Sequence, residues 1–258
     1  MKIDYCDKEL IVVSDIHGDY NDFRYYIDLW LEDTENYIVF MGDLIHGDLF
    51  EEDMSLKILD SVMEYIDYPT FHVLMGNHEL SQLYSEDVFK YNVNQTESFK
   101  LLVENEYPDD YIEKYNEYKK LLSKFHYFIQ TSNGLCITHA GINEDYLKYL
   151  LNDTIDIHAL KYNKNSVEKE WITMNLWSRP YEDSTSETIN TFLKKIQCKY
   201  LITGHTVYNG YHIYGNQLIF DSSYNTDNKY YLRIKLNTEI DSVTDLLKYL
   251  IKKEDKIF

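Results

Sequence analysis

Short runs of apolar residues that end abruptly in polar ones recur along the chain. The first run extends from Leu10 to Val13 and leads into Ser14, Asp15 and, three residues later, Gly18. β-Branched residues bounded by Asp and Gly are typical of a buried strand followed by a tight turn. Runs of the same form occupy residues 10–13, 38–41, 71–75, 135–138 and 201–203. The pattern predicts at least five short buried strands.

Longer segments with apolar residues at helical spacing separate these strands. We predict helices over residues 22–31, 54–65, 80–84, 97–104, 109–122 and 186–196. Three of them fall in a stretch of more than fifty residues without glycine, which predicts a helical insertion over about 80–130. Alternating strands and helices predict an α/β protein.

The last fifty residues have a different pattern. Clustered or alternating apolar residues predict strands over 211–214, 218–220 and 230–236, with Gly215 and Asn216 as a hairpin turn. Residues 241–251 have an amphipathic pattern and predict a closing helix. A length of 258 residues suits one large domain, so we expect a single domain over 1–258 that contains the insertion.

Composition and charge limit the class of protein. Hydrophobic residues make up 44% of the chain, as in globular proteins. The formal net charge of −19 argues against extended nucleic-acid binding, although a bound metal pair would make a pocket locally positive. Three cysteines lack a Cys-x-x-Cys pattern, the first residues lack the core of a signal peptide, and no apolar run is long enough for a membrane span. We therefore expect a cytoplasmic protein without a membrane partner.

Each of the five predicted strands leads to a potential metal ligand beside a glycine. The ligand candidates are Asp15, His17, Asp43, Asn77, His139 and His205. In open α/β sheets, sites form where loops leave the carboxyl ends of strands. Carboxylate, amide and imidazole groups without a thiolate suit hard-to-borderline divalent metals. The spacing therefore predicts a metal site built from all five strand ends.

These strand ends resemble the motifs of the calcineurin-like metallophosphoesterases, and most closely those of the phosphoprotein phosphatase branch. That branch reads Asp-x-His-Gly, Gly-Asp-x-x-Asp-Arg-Gly, Gly-Asn-His-Glu, His-Ala-Gly and Gly-His-Thr, in this order. Residues 15–18, 76–79, 139–141 and 204–206 match four of the five motifs. The resemblance implies a central β-sandwich of two mixed sheets flanked by helices.

The resemblance also implies a binuclear centre of two divalent ions. Asp15 and His17 would bind the first ion, Asn77, His139 and His205 would bind the second, and Asp43 would bridge both. A water molecule between the ions would become hydroxide and attack phosphorus in line. Nitrogen and oxygen ligands suit manganese, iron or zinc, and we expect manganese first.

Two further residues take roles from the resemblance. His78 follows Asn77, a ligand that also borders the substrate, and would be the general acid for the leaving group; hydrogen bonding to a ligand is its alternative role. Arg179, in Trp-Ser-Arg-Pro, resembles the phosphate-binding arginine of bacterial members, because a guanidinium can hold two phosphoryl oxygens. The alternative is a surface arginine before a proline. We expect Glu79 to support a neighbouring ligand.

The second motif departs from the family pattern. Residues 42–48 read Gly-Asp-Leu-Ile-His-Gly-Asp, so His46 and Gly47 replace the Asp-Arg pair. In the family, the aspartate is the partner of the catalytic histidine and the arginine binds phosphate. If His46 takes the aspartate's place, His78 faces a neutral imidazole; Asp48 is the alternative partner. The metal ligand Asp43 is retained.

The predicted function is hydrolysis of phosphate monoesters, with phosphoserine or phosphothreonine in proteins as the first substrate. A nucleotide or dinucleoside polyphosphate is the enzymatic alternative. A metal-binding interaction protein with little catalysis is the alternative outside enzymes, and intact His78 argues against it.

Overall fold

A computed structural model describes residues 1–4, 6–47, 52–160, 167–223 and 226–254. The strands in these ranges are β1 Lys2–Ile3, β2 Glu9–Val13, β3 Tyr37–Phe40, β4 Phe71–Val73, β5 Phe89–Lys90, β6 Val93–Asn94, β7 Phe128–Thr131, β8 Leu135–Thr138, β9 Tyr200–Thr203, β10 Tyr211–Tyr214, β11 Gln217–Phe220, β12 Tyr230–Lys235 and β13 Leu250–Lys252. The helices are α1 Tyr20–Leu31, α2 Ser55–Tyr65, α3 Asn77–Tyr84, α4 Gln95–Glu106, α5 Tyr111–Leu122, α6 Glu144–Leu151, α7 Val167–Leu176 and α8 Ser186–Lys195, with 3₁₀ helices at Ile157–Ala159 and Val243–Lys248. None of the described helices is long and apolar enough to cross a membrane.

Two mixed sheets form the centre of the molecule. The five-stranded sheet has the order β13-β12-β2-β3-β4, and the six-stranded sheet has the order β1-β7-β8-β9-β11-β10. β2, β3 and β4 are parallel, with Val39 opposite both Val12 and His72. β8, β9 and β11 are parallel in the other sheet. Each sheet also contains antiparallel pairs, β2 with β12 and β7 with β8.

The alternation of side chains along β2 explains the layered architecture. Leu10 and Val12 pack in one buried cluster with residues of the second sheet, such as Ile202. Ile11 and Val13 pack in another cluster, which contains the buried residues of α1 and α2. Successive residues of a strand point to opposite faces, so one face of the sheet packs on the other sheet and one on helices. The predicted sandwich flanked by helices is confirmed.

The segment between β4 and β7 contains the three predicted helices α3, α4 and α5. It also contains a short hairpin of β5 and β6, which the helical prediction did not include. Residues 128–130, at the end of the predicted insertion, belong to β7 of the six-stranded sheet. Phe99 of α4 and Tyr118 of α5 are buried in the same cluster as Phe23 of α1. The insertion therefore packs on the main core; the single domain over 1–258 stays a prediction.

The end of the chain differs from the predicted helix over 241–251. A 3₁₀ helix occupies Val243–Lys248, and Leu250–Lys252 form β13. β13 pairs antiparallel with β12, where Lys252 lies opposite Tyr230. Val243 and Leu246, which contribute to the amphipathic pattern, are buried. Pairing with a distant strand overrides the helical periodicity, and local sequence does not show such pairing.

Candidate metal centre

Five strand ends bring the six predicted ligands together. Asp15 and His17 follow β2, Asp43 follows β3, Asn77 begins α3, His139 follows β8 and His205 follows β9. The backbones of His17, Asp43 and His205 have positive φ angles of 48°, 50° and 63°. Non-glycine residues in this left-handed region are strained and cluster at functional sites. At these three residues the strain lies where the chain turns next to a strand end.

Asp43 lies at the centre of the site and is 1% exposed. Its Oδ2 is 3.5 Å from Nε2 of His139 and 3.6 Å from Nε2 of His17. The same oxygen is 4.0 Å from Nε2 of His78. The other carboxylate oxygen, Oδ1, accepts a hydrogen bond of 3.1 Å from the His78 backbone N–H. Oδ2 is therefore the atom toward which three imidazoles converge.

The potential ligand atoms form two groups that share Asp43. One group is Asp15, Asp43, His139 and His205, and the other is His17, Asp43 and His78; the ligand atoms of each group lie within 4.8 Å of one another. A carboxylate common to both groups is what a bridged pair of ions requires. Asp15 falls with His139 and His205 rather than with His17, although its Oδ2 is only 3.9 Å from His17 Nε2. The predicted allotment of ligands to two ions stays a prediction.

The hydrogen bonds of two histidines show which ring nitrogens carry lone pairs. His139 Nδ1 is 2.9 Å from the carbonyl oxygen of Met41. His17 Nδ1 is 3.3 Å and 3.2 Å from the carbonyl oxygens of Ile45 and His46. A carbonyl oxygen only accepts, so each Nδ1 donates, and in the neutral ring each Nε2 then carries a lone pair. Both lone pairs face the Asp43 carboxylate, an arrangement in which acceptor faces acceptor.

Atoms of His139, His205 and Asn77 are the other potential metal ligands of this site. Nε2 of His139 is 2.8 Å from Oδ1 of Asn77, so two acceptor atoms approach each other closely. The ring of His205 bonds the backbone of Trp177, and its buried Nε2 has no hydrogen-bond partner among the described residues. Imidazoles that donate Nδ1–H to the backbone and present Nε2 to a common point are typical metal ligands. The residues present therefore fit a divalent cation.

Burial keeps these imidazoles neutral, which is the form that binds a metal ion. Burial lowers the pKa of His17 to about 4. It also lowers the pKa of His139 and, more strongly, that of His205. Burial raises the pKa of Asp43 well above its usual value, and the carboxylates of Glu79 and Asp15 add to this effect. Bound cations would relieve this accumulation of buried acceptors.

Glu79 holds the turn that carries Asp43. Its Oε2 accepts from the backbone N–H of Asp43 at 2.8 Å, and its Oε1 accepts from that of Leu44 at 2.7 Å. A Cβ on Gly76 would lie 2.2 Å from Asp43 Oδ1 and 2.5 Å from Glu79 Oε2, so only glycine fits between them. Burial raises the pKa of Glu79 to about 7, against the lowering effect of its N–H donors. The contacts agree with the expected supporting position of Glu79.

His78 differs from the other histidines of the site. Its Nδ1 is 2.8 Å from Nδ1 of His46 rather than from a carbonyl oxygen. His46, with a positive φ of 66°, therefore occupies the position that the sequence assigned to a partner of His78. Burial lowers the pKa of His78 well below its usual value, and His17 and His46 add to the effect. Asp48, the alternative partner, lies outside the described residues.

Arg179 lies at the edge of the site. Its Nη1 is 3.5 Å from the backbone oxygen of His205, and its positive charge contributes to the lowered pKa of His139 and His205. The Trp177 ring is 5.9 Å from the His205 ring and 6.4 Å from the His78 ring. The structure thus brings Arg179 to the ligands, although its contact with a phosphate stays a prediction.

Two residues next to the site were missed at the level of sequence. Gln82 lies behind His46, where its Oε1 is 3.1 Å from His46 Nε2. Tyr115 of α5 contacts the other end of that amide. Gln82 is four residues after His78 and so shares its helix face, which is a signal that could have been used. Tyr115 carries no such signal, because it reaches the site from a different helix.

Comparison with known proteins agrees with this geometry. The model of the calcineurin-like phosphoesterase family matches residues 9–209. The fold is similar to a serine/threonine protein phosphatase from Saccharomyces cerevisiae with similarity to human phosphatase PP5; the identity is 14%, the match covers 98% of this chain and 82% of that chain, and the TM-score is 0.65. No curated protein sequence matches the chain.

Two further structures have the same fold at low identity. A cold-active protein-tyrosine phosphatase from a psychrophilic Shewanella species is 17% identical, with coverage of 91% of this chain and 77% of that chain and a TM-score of 0.63. A "putative diadenosine tetraphosphatase" is 13% identical, with coverage of 98% and 97% and a TM-score of 0.51. Because the family model covers most of the chain, including all six ligand candidates, the protein belongs to the calcineurin-like phosphoesterases and is a metal-dependent phosphoesterase.

Proposed function

We propose that the protein hydrolyses phosphate monoesters at a centre of two divalent ions, with manganese as the first candidate. The observation that carries the proposal is the convergence of imidazole Nε2 atoms and carboxylates around Asp43, where acceptors face one another. Such a set of acceptors is stabilised by a bound cation.

The allotment of the ligands to the two ions follows the family resemblance. We assign Asp15 and His17 to one ion, Asn77, His139 and His205 to the other, and Asp43 to both. When bound, a pair of divalent ions polarises the phosphoryl oxygens and lowers the pKa of a water molecule to near neutrality. Glu79 maintains the Asp43 turn through the hydrogen bonds that it accepts from the backbone N–H groups of Asp43 and Leu44, so the Asp43 carboxylate stays in place between the ligand groups.

His78 is the proposed general acid. Its backbone N–H is bound to Asp43 Oδ1 and its Nδ1 is bound to His46, so its Nε2 is the nitrogen that faces the site. Protonation of the leaving oxygen by a side chain typically accelerates such reactions by about 10²–10⁴-fold. Arg179 is the proposed phosphate clamp, since Gly47 offers no side chain in place of the family arginine.

Phosphoserine and phosphothreonine in proteins remain the first proposed substrates. The likeness to a serine/threonine protein phosphatase supports this choice only through the fold. A nucleotide or dinucleoside polyphosphate is the second candidate, because the chain covers nearly all of the diadenosine tetraphosphatase-like structure. Cytoplasmic location and the single domain over 1–258 also remain proposals.

The first test is turnover of p-nitrophenyl phosphate by protein that has been stripped of metal and then supplied with Mn²⁺, Fe²⁺ or Zn²⁺. We expect activity that depends on added metal and up to two ions per chain by elemental analysis. Full activity after exhaustive chelation would refute the proposal. Binding of two ions without turnover on any substrate would instead favour a metal-binding interaction protein.

A panel of phosphopeptides and nucleotides then separates the substrate classes. Release of inorganic phosphate from phosphoserine peptides at a kcat/KM above that for diadenosine tetraphosphate would support a protein phosphatase. The reverse order would assign the protein to nucleotide hydrolysis.

A further inference from the structure

We propose that Gln82 and Tyr115 are positioning residues that set the tautomer and orientation of His78 through His46. The four side chains form one chain of hydrogen bonds from α5 to the candidate metal centre. Tyr115 Oη lies 2.7 Å from Gln82 Nε2, Gln82 Oε1 lies 3.1 Å from His46 Nε2, and His46 Nδ1 lies 2.8 Å from His78 Nδ1. The consequence for catalysis rests on the proposed function, whereas the tautomer does not.

The direction of each hydrogen bond follows from the Gln82 amide. Its nitrogen donates to Tyr115, so its oxygen faces His46 and accepts from His46 Nε2–H. A neutral imidazole with a proton on Nε2 has a lone pair on Nδ1. His46 therefore accepts through Nδ1, and His78 donates its own Nδ1–H. In the neutral ring, the lone pair of His78 is left on Nε2, the atom that faces Asp43 Oδ2 at 4.0 Å. To act as the proposed general acid, His78 must first take up a second proton at this Nε2, and His46 Nδ1 still accepts from the Nδ1–H of the resulting imidazolium.

The contacts of His46 restrict the orientation of its ring. Its backbone N–H donates to Ser55 Oγ at 3.0 Å, and its ring packs at 5.9 Å against the ring of Phe99 in an edge-on geometry. His46 is 1% exposed and Gln82 is fully buried. In the structure the Gln82 amide has its nitrogen at Tyr115 and its oxygen at His46, and a flip of this buried amide would reverse every donor and acceptor in the chain.

The arrangement differs in kind from a carboxylate beside the general acid. A carboxylate has only acceptor oxygens, so it always accepts a hydrogen bond from an Nδ1–H of its neighbour, whereas His46 accepts only while Gln82 holds the His46 proton on Nε2. The orientation of His78 thus depends on α5, which lies outside the motifs of the strand ends. Tyr115 is half-buried, so its hydroxyl can be removed with less disturbance than the buried Gln82.

The tautomers can be read directly in metal-free protein labelled with ¹⁵N-histidine. Long-range ¹H–¹⁵N correlation spectra distinguish a ring protonated on Nδ1 from one protonated on Nε2. We expect Nε2–H for His46 and Nδ1–H for His78. Tyr115→Phe and Gln82→Met should give mixed or reversed tautomers for both rings. Gln82→Glu should preserve them, because its carboxylate accepts from His46 and from the Tyr115 hydroxyl.

Tyr118→Phe is the matched control. Tyr118 lies three residues further along α5 and bonds Asp60 at 2.9 Å instead of Gln82, so its loss should lower stability without changing either tautomer. A wild-type His46 protonated on Nδ1, or unchanged spectra in Tyr115→Phe, would overturn the proposal. If Gln82→Met does not fold, Tyr115→Phe against Tyr118→Phe still decides the question.

Kinetics of the metal-loaded protein test the catalytic consequence. In Tyr115→Phe we expect kcat for an alkyl phosphate to fall by about tenfold with KM within about twofold, and p-nitrophenyl phosphate to be nearly unaffected, because nitrophenolate leaves without a proton. An equal loss on both substrates would contradict a positioning role. A wild-type protein with the expected tautomers but no turnover would refute the proposed function and leave the tautomer assignment intact.

Discussion

We expect replacement of Asp43 with asparagine to stabilise the metal-free protein and to destabilise the metal-loaded protein. In the metal-free protein, Asp43 is a carboxylate with 1% exposure whose pKa is raised well above its usual value by burial and by neighbouring carboxylates. The folded state therefore binds this proton more tightly than the unfolded state, and stability falls as the pH rises above about 4.

The amide of the Asp43→Asn variant is neutral and retains an oxygen that can accept from the His78 backbone N–H. Metal-free Asp43→Asn should therefore be more stable than wild type at pH 8, with a smaller difference at pH 5. With metal the order should invert. A unit charge and a dication about 4 Å apart attract by roughly 8 kcal/mol at an effective dielectric constant of about 20, and desolvation offsets most of this. We expect at least about a hundredfold loss of affinity, about 2.7 kcal/mol.

Denaturant unfolding at pH 5 and 8, without and with Mn²⁺, measures both effects, and calorimetric titration gives affinity and stoichiometry. Asp67→Asn is the control, because that side chain is 84% exposed and pairs with Lys124 at the surface. Activity of Asp43→Asn should fall with the loss of metal. Wild-type affinity and stoichiometry in this variant would refute the assignment of Asp43 as the shared ligand.

Three further predictions concern other parts of the molecule. Arg179→Ala should lower kcat/KM by about a hundredfold, or about 2.7 kcal/mol, and a loss below about threefold would place the guanidinium away from the phosphate. Burial lowers the pKa of His72 from 6.5 to about 4, so on acidification the unfolded state takes up this proton before the folded state does, and the folded state is destabilised. In denaturant titrations, His72→Leu should therefore lose up to about 3 kcal/mol less stability between pH 6.5 and 4 than wild type. A hydrogen bond with Cys136 lowers the pKa of Cys198 to about 7, so alkylation of Cys198 by iodoacetamide should have its midpoint near pH 7, and a midpoint near the usual 9.0 would contradict that contact.

The candidate ligands could be chosen from sequence because each stands within a few residues of the end of a short apolar run. A buried strand needs apolar residues along its length, and a ligand at its end needs a turn, so both signals lie within a few residues of each other. Asp43, for example, is separated from β3 by only Met41 and Gly42. The same local signals located most helices, with boundaries shifted by two residues in α1, α4 and α5 and by three residues at the start of α3.

The fate of the last segment could not be read from local sequence. Residues 241–251 have the periodicity of a helix, but β12 offers an unpaired edge, and Leu250–Lys252 satisfy its backbone groups as β13. The hairpin of β5 and β6 was likewise not predicted, because it lies within a segment whose sequence indicates helices. At the end of the chain, the deciding interaction is with β12, which lies outside the helical pattern. In the hairpin, each strand has only two residues, too few to give a recognisable strand pattern.

Sequence by itself determined which residue types stand at each strand end, because the chemistry of a ligand resides in one side chain and its neighbours. Tertiary structure alone decided how these side chains are protonated and aimed. The carbonyl of Met41 makes His139 present Nε2, although the two residues are 98 positions apart. The amide of Gln82 and the hydroxyl of Tyr115 act on His46 and His78 in the same way. A hydrogen bond depends on distance and direction in space, and only the packed sandwich and its helices set these.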